Sequence, residues 1–251
     1  MLGDEIDSAR SAADLGRAWA KLPVMARSLL EEDVEARAVS AVISAEICAM
    51  TRRAAEMAEA RMLDEGRGAA PMRYCVLVLG SAGRGESLLA ADQDNAIVYE
   101  SGEAGGAEDQ WFEAMATHMS AILDEVGIPF CKGGVMAKNP LWRHSLDGWL
   151  AQIDSWVRRQ NPEDLLNVDI FFDGVPVHGD RALGETIWEH AYRAGHDAPD
   201  FLKLLSVHAG EARAPFTLFG GIKTDEQGRV DLKKHGLMPI FTAARVLSIR
   251  H

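Results

Sequence analysis

The sequence has no long apolar segment and few cysteines. No run approaches the roughly 20 consecutive apolar residues that a membrane-spanning helix needs, and the amino terminus, MLGDEIDSAR, lacks the basic flank and apolar centre of a signal peptide. Cys48, Cys75 and Cys131 are odd in number and lie far apart in apolar surroundings, so we expect buried, reduced thiols rather than a disulfide framework or a zinc site. These absences predict a cytoplasmic protein that does not enter a membrane.

Positive charge is also scarce. The 251 residues include 26 lysines and arginines against 38 aspartates and glutamates, which gives a formal net charge of −12. Because nucleic acids and anionic lipid surfaces both select positive surfaces, this balance argues against general binding to either. The hydrophobic fraction of 47% suffices for an ordinary core, and the length predicts one large or two small domains.

The chain divides into three segments by composition. Residues 1–69 carry alanine and other apolar residues at helical spacing, which predicts a helical lead-in that ends at DEGRGAAP. Residues 70–195 alternate between strand and helix patterns and predict an α/β (α+β) domain with a mixed sheet and flanking helices. Residues 196–251 predict the start of a helical, substrate-binding domain. Its last helix has no stop signal, so we expect this domain to be cut short.

Apolar patterns place the individual elements. In chain order we predict a strand at 74–79, a glycine turn and short helix to about 91, a strand at 95–100, helices at 108–126 and 141–159, and a strand within LNVDIFFDGVPV. The tryptophans Trp142, Trp149 and Trp156 recur at a heptad spacing on the second of these helices, which is typical of core packing. Beyond them we predict a hairpin around TDEQGR and a final helix from Pro239.

The most informative segment is GSAGRGESLLAADQD, residues 80–94, between the predicted strands YCVLVL and NAIVYE. Its glycines lack the G-x-G-x-x-G spacing of a dinucleotide-binding unit, and it contains no P-loop motif. Asp92 and Asp94 alternate at the entrance to a strand, which puts both carboxylates on one side. Paired carboxylates bind Mg²⁺ and join it to substrate phosphates, and a Gly-Ser turn exposes backbone N–H groups that suit phosphates. The segment therefore predicts metal-dependent phosphate chemistry.

These residues also resemble a known family. LVLGSAGRGESLLAADQDNAIVYE is similar to the signature of the DNA polymerase β-type nucleotidyltransferase superfamily, and more closely to the nucleotidyltransferase domain related to bacterial protein-PII uridylyltransferase. CKGGVMAKNPLWR, FFDGVPVHGD and VDLKKHGLMPI resemble that family in the same order. The resemblance implies a polymerase β-type fold, with Gly80 and Ser81 holding the triphosphate of an NTP, and Asp92 and Asp94 binding Mg²⁺ or Mn²⁺.

The resemblance further implies a third carboxylate from a later strand. It would bind the metal and help to deprotonate the attacking hydroxyl. Asp169 and Asp173 share one face of the predicted strand VDIFFD, so alternation alone does not choose between them. We favour Asp173, because FFD is the part that resembles the family, and keep Asp169 as the alternative.

Several charged residues near the motif have two readings. Arg84 and Glu86 follow the glycine turn and either contact phosphate or form a salt bridge between helix and sheet. Lys132, Lys138 and Arg143 cluster around a pair of glycines and either belong to a nucleotide-binding loop or are solvated cations beside an ordinary turn.

The leading prediction is an enzyme that transfers a nucleoside monophosphate from an NTP to a hydroxyl and releases pyrophosphate. The resemblance implies a protein acceptor, such as a tyrosine hydroxyl on a PII-like regulator, and a role in signal transduction alongside CBS or cyclic-nucleotide-binding domains. The alternative is a regulatory module that binds nucleotide without turnover.

Overall fold

The computed structural model describes residues 2–159, 162–211, 216 and 221–251. The described helices are α1 Leu2–Ser8, α2 Ala12–Trp19, α3 Leu22–Glu31, α4 Ala36–Asp64, α5 Gly80–Gly83, α6 Ala107–Val126, α7 Leu146–Arg159, α8 Pro162–Phe171, α9 Arg181–His196, α10 Pro199–Glu211 and α11 Met238–Arg250. The described strands are β1 Tyr74–Val78, β2 Asn95–Tyr99, β3 Arg143–Ser145 and β4 Val175–Gly179. A 3₁₀ turn at Pro140–Trp142 precedes β3, and a π-helical turn at Lys233–Leu237 precedes α11.

The described strands form a four-stranded sheet in the order β3-β2-β1-β4. β1 is antiparallel to both neighbours, with Val76 opposite Ile97 on β2 and His178 on β4. β2 and β3 run parallel, with Val98 opposite His144. β1 and β2 are buried along their whole length, as continuous apolar strands in the middle of a covered sheet should be. The mixed sheet with flanking helices confirms the predicted fold class and is consistent with a polymerase β-type fold.

The described chain separates by packing into two compact units. The first contains Met1–Ala151 and Asp173–Trp188, and the second contains Gln152–Phe172 and Glu189–His251. In the second unit α10 packs along α11. The end of α9 also lies close to α11, since a Cβ at Gly195 would lie 2.8 Å from Cγ2 of Ile249.

The helices of the predicted lead-in contribute to the core of the first unit. Tyr74, Val76, Ile97 and Tyr99 share one face of β1 and β2, because alternate residues of a strand point to the same side. That face belongs to a cluster with buried side chains of α1, α2, α4 and α6, namely Ile6, Leu15, Ala54, Ala58, Met62, Phe112, Met115 and Met119. The domain boundaries at residues 69 and 195 stay predictions.

One predicted element is wrong over half its length. The first part of LNVDIFFDGVPV is helical, since α8 runs over Pro162–Phe171, and β4 begins only at Val175. Proline at the first helical position followed by two acidic residues is a strong helix start, and it overrides the strand-like apolar run. Asp169 and Asp173 therefore do not share a strand face. Asp169 lies on α8, and Asp173 lies in the turn between α8 and β4.

Two helix boundaries also differ from the prediction. The helix predicted from 141 begins at Leu146, because the three residues before it pair with β2 as strand β3. Trp142 thus lies outside that helix, yet Trp142, Trp149 and Trp156 are all buried, which confirms that they pack in cores. The short helix after the glycine turn ends at Gly83, and residues 84–94 form a loop.

The predicted carboxy-terminal elements are partly recovered. Around TDEQGR the Asp225 N–H donates to the Arg229 carbonyl at 2.9 Å, which makes a turn, but the described residues on either side of it form no paired strands. The final helix begins at Met238, one residue before the predicted position, with proline in its first turn.

Candidate active site

The Gly-Ser turn forms the start of α5, one residue after the end of β1. Gly80 has φ +62°, a left-handed conformation that glycine adopts at little cost. A Cβ at this position would lie 2.5 Å from the Asp94 carboxylate oxygen Oδ2. The Leu79 N–H donates to the Asp94 carbonyl at 2.9 Å, so the turn and the acidic segment are hydrogen-bonded side by side. Glycine is therefore required here for both backbone conformation and space.

The acidic segment alternates between exposed and buried side chains. Asp92 is exposed and Asp94 half-buried, whereas Gln93 between them is only 3% exposed. The Gln93 side-chain amide donates to the carbonyls of Ser120 and Ile128 at 3.0 and 2.9 Å, which fixes the segment to the end of α6. This arrangement agrees with the prediction that the two carboxylates lie on one side of the chain.

A third side chain meets the two carboxylates. One ligand atom from each of Asp92, Asp94 and Cys131 lies within 4.8 Å of the others. The loop that carries Cys131 is held against the acidic segment by two backbone hydrogen bonds, from Gln93 N–H to the Pro129 carbonyl at 3.0 Å and from Asn95 N–H to the Val135 carbonyl at 3.1 Å. Two converging carboxylates beside a glycine that leaves room for them fit a divalent cation with oxygen ligands.

Sequence reasoning did not place Cys131 at this site. Among the three free cysteines only Cys75 is fully buried, while Cys48 and Cys131 are half-buried. Burial, together with the charge of the nearby Asp94 carboxylate and a hydrogen bond to it, raises the pKa of the Cys131 thiol to about 11. The thiol therefore carries its proton at neutral pH. The contact of Cys131 with Asp94 joins residues far apart in sequence, so no local sequence pattern predicts it.

Arg84 connects the loop after α5 to Asp173. Its guanidinium forms an ion pair with the buried Asp173 carboxylate, and its Nε donates to Glu86 at 3.0 Å. Of the two predicted readings, the described contacts show the salt bridge. Gly83 makes this approach possible, because a Cβ there would overlap the Asp173 carbonyl oxygen. Asp173 thus lies against the glycine turn within the first unit.

Asp169 has different surroundings in the second unit. It is buried on α8, where the Arg245 guanidinium pairs with its carboxylate and the Thr242 hydroxyl donates to it at 3.1 Å. Both partners come from α11. This carboxylate joins two helices of the same unit.

The cations near the paired glycines separate into two kinds. Arg143 is buried, and its guanidinium donates to Asp109 at 2.7 Å and to the Ala137 and Lys138 carbonyls. Burial alone would raise the pKa of the Asp109 carboxyl, but the hydrogen bonds and charge from Arg143 lower it overall. Lys132 is exposed, and Lys138 places its ammonium 3.7 Å from the centre of the Phe130 ring on the same loop. The arginine is structural, while the two lysines lie on the surface of the loop that carries Cys131.

A small cavity of about 10 Å³ lies behind the motif, and that volume accommodates about one water molecule. Ser81, Asp92, Gln93 and Asp94 contribute to its wall together with apolar residues of β1 and α6. The Gln93 Oε1 atom is buried and has no hydrogen-bond partner among the described residues. Gln93 therefore brings to this region a buried acceptor of the kind that an ordered water molecule satisfies.

Comparison with protein families agrees with this geometry. A family described as "Putative nucleotidyltransferase DUF294" matches residues 20–163. The chain belongs to this nucleotidyltransferase family. A second family description, "Putative nucleotidyltransferase substrate binding domain", matches residues 199–251. A comparison with curated proteins found no match. The predicted family is thus confirmed, and with it the general chemistry of nucleoside monophosphate transfer from an NTP.

The nucleotidyltransferase match contains the whole glycine turn and acidic segment, and it begins within the segment predicted as lead-in. Among the helices that the structure describes, none combines the length and apolar character needed to cross a bilayer.

Proposed function

We propose that this chain is a Mg²⁺-dependent nucleotidyltransferase that transfers a nucleoside monophosphate from an NTP to a hydroxyl, with Mn²⁺ as a substitute metal. The observation that carries the proposal is the meeting of the Asp92 and Asp94 carboxylates beside the Gly80-Ser81 turn. Backbone N–H groups at such a turn suit the triphosphate, and the carboxylates suit the cation that accompanies it.

In this proposal the residues of the chain position the reactants. Gly80 and Ser81 hold the β and γ phosphates, and Asp92 and Asp94 hold the metal. When bound, a divalent cation supplies electrostatic stabilisation of the attacking and leaving oxygens. The acceptor oxygen forms a bond to the α-phosphorus while the bond to the bridging oxygen breaks, and pyrophosphate leaves. Asp173 accepts the proton of the attacking hydroxyl, because it is the candidate that lies in the same unit as the turn.

The neighbouring charges have proposed roles as well. Arg84 contacts both Glu86 and Asp173, and in this proposal its guanidinium turns to the phosphates when the site is loaded. Lys132 and Lys138 lie on the loop of Cys131 and provide positive charge for the nucleotide in an otherwise acidic protein.

We propose a protein as the acceptor, in the manner of protein-PII uridylyltransferase. Two observations support this. A net charge of −12 disfavours a nucleic-acid acceptor, and a substrate-binding domain family matches residues 199–251. A cytoplasmic role in signal transduction, with linkage to CBS or cyclic-nucleotide-binding domains, belongs to the same proposal.

The second candidate is a nucleotide-binding regulatory module without turnover. The ion pair between Arg84 and Asp173 favours it, because a guanidinium occupies the third carboxylate. A module of this kind would bind NTP with the metal but would leave Asp173 neutralised.

The test is incubation of the chain with Mg²⁺, each NTP labelled at its α-phosphate, and a cell extract as the source of acceptor. We expect a labelled protein band that is lost in Asp92→Asn/Asp94→Asn and kept in Asp64→Asn, which removes an exposed carboxylate at the end of α4. If NTP binds only with Mg²⁺ and no acceptor is labelled, the regulatory module is the better account. If NTP does not bind, both candidates fail.

A further inference from the structure

The position of Cys131 suggests a metal preference that two carboxylates alone would not give. We infer that Asp92, Asp94 and Cys131 form a mixed oxygen–sulfur site that binds a thiophilic divalent cation, Zn²⁺ or Cd²⁺, in competition with Mg²⁺. The inference rests on the same carboxylate pair as the proposed function, but it concerns which cation this chain selects.

The distances suit such a site. The three ligand atoms lie within 4.8 Å of one another. Bonds of about 2.3 Å to sulfur and about 2.0 to 2.2 Å to oxygen place the ligand atoms of a tetrahedral zinc ion about 3.5 Å apart, so the longest separation must shorten by about 1 Å. Asp92 is exposed and the other two side chains are half-buried, so side-chain rotation can supply this movement.

The ligands come from two segments that the fold holds together. Asp92 and Asp94 lie just before β2, and Cys131 lies on the loop after α6. The buried Gln93 anchors the acidic segment to the end of α6 and lines the cavity shared with the carboxylates, and its Oε1 has no hydrogen-bond partner among the described residues. That atom is an acceptor for a water molecule carried by the cation, which would complete the coordination from the inner side.

The chemistry of the donor set distinguishes the cations. Mg²⁺ prefers oxygen ligands and octahedral geometry, so the sulfur adds nothing to its binding. Zn²⁺ and Cd²⁺ accept thiolate, and their binding displaces the thiol proton to solvent. A site with two carboxylates and one thiol therefore binds these ions more tightly than the carboxylates alone, and the bound ion excludes Mg²⁺ from the same carboxylates.

The experiment is titration of the whole chain with Cd²⁺, followed by the ultraviolet thiolate-to-cadmium charge-transfer band. We expect one equivalent to saturate the band in the wild type and in Cys48→Ala, a control that removes another half-buried thiol. The band should be absent in Cys131→Ser, and in Asp92→Asn/Asp94→Asn it should require at least about tenfold more Cd²⁺. Excess Mg²⁺ should shift the wild-type titration to higher Cd²⁺.

Two results would overturn the inference. One is a band that persists in Cys131→Ser, and the other is a band whose midpoint does not respond to the loss of both aspartates. Mg²⁺-dependent NTP binding by the wild type, measured separately, tests the proposed function. A failure of that binding with an intact cadmium band would leave the mixed site standing and remove the transferase.

Discussion

Asp94 in the first unit and Asp169 in the second are both withdrawn from full solvent exposure, but their surroundings differ. Asp169 is matched with the Arg245 guanidinium and the Thr242 hydroxyl, which come from one neighbouring helix. Asp94 meets another carboxylate, a thiol and a glycine that leaves it room. A carboxylate with its own buried guanidinium stabilises a fold, whereas carboxylates gathered around a shared space gain stability when a cation joins them.

The largest effect is expected when Asp173, the proposed proton acceptor in the first unit, loses its charge. If it accepts the proton of the attacking hydroxyl, Asp173→Asn should lower the transfer rate by about a hundredfold to ten-thousandfold. Its effect on Mg²⁺-dependent NTP binding should be small, because Asp92 and Asp94 remain. Single-turnover transfer and NTP titration measure the two separately. Equal loss of binding and rate would place Asp173 among the residues that hold the nucleotide.

Asp169→Asn should show the opposite pattern. It leaves the Arg245 guanidinium, which is only 5% exposed, without its charged partner, so the free energy of unfolding should fall by about 3 to 5 kcal/mol. Mg²⁺-dependent NTP binding should stay near the wild-type value at a temperature where the variant is folded. Chemical denaturation and NTP titration test both statements. A stable variant that has lost transfer would instead make Asp169 the third carboxylate.

Gly80 and Gly85 provide a matched pair for the space beside Asp94. Both have positive φ, +62° and +73°, so alanine at either position should cost about 1 to 2 kcal/mol of stability. Only at Gly80 would the new Cβ contact a side chain, the Asp94 carboxylate; at Gly85 nothing lies within 4 Å. Gly80→Ala should therefore weaken Mg²⁺-dependent NTP binding by at least about tenfold, whereas Gly85→Ala should not. Equal binding losses would mean that backbone strain, not the carboxylate, is responsible.

The buried pair of Asp109 and Arg143 should affect stability alone, and the size of the effect should depend on pH. The pKa of Asp109 is lowered in the folded protein, so its stabilising contribution is complete above the ordinary value of about 3.9 and is lost as the pH falls through the folded value. Asp109→Asn should be less stable at pH 7 by about 2 kcal/mol, since Arg143 keeps its carbonyl acceptors. The difference should shrink below about pH 3.9. Denaturation at several pH values measures it, and a constant difference would contradict this account.

Local sequence patterns predicted the part of the site whose residues are neighbours along the chain. The order strand, glycine turn, acidic segment and strand follows from residues that are neighbours in sequence, and the structure reproduces it over Tyr74–Val78 and Asn95–Tyr99. The family signature falls within the same segment. For this reason, both the fold class and the family were accessible from the sequence.

The features that the sequence did not predict depend on distant partners. The apolar run around Asp169 has the pattern of a strand, but the proline and acidic residues before it begin helix α8. The partner of Asp169 on that helix is Arg245 of α11, which lies far along the chain. Cys131 lies close to Asp94 because the loop after α6 packs against the acidic segment. Strand β3 separates the first of the three regularly spaced tryptophans from the other two, since its pairing with β2 outweighs the local helix preference. Periodicity describes one element at a time and does not report such contacts.

The most direct test of the central claim is calorimetric titration of the wild type and of Asp92→Asn/Asp94→Asn with NTP, in saturating Mg²⁺ and again with a chelator. The account predicts binding by the wild type that requires Mg²⁺ and is lost in the double variant, while Asp169→Asn, in its folded state, still binds. Binding of equal strength with and without Mg²⁺, or unchanged binding by the double variant, would show that these carboxylates do not hold the metal for the nucleotide.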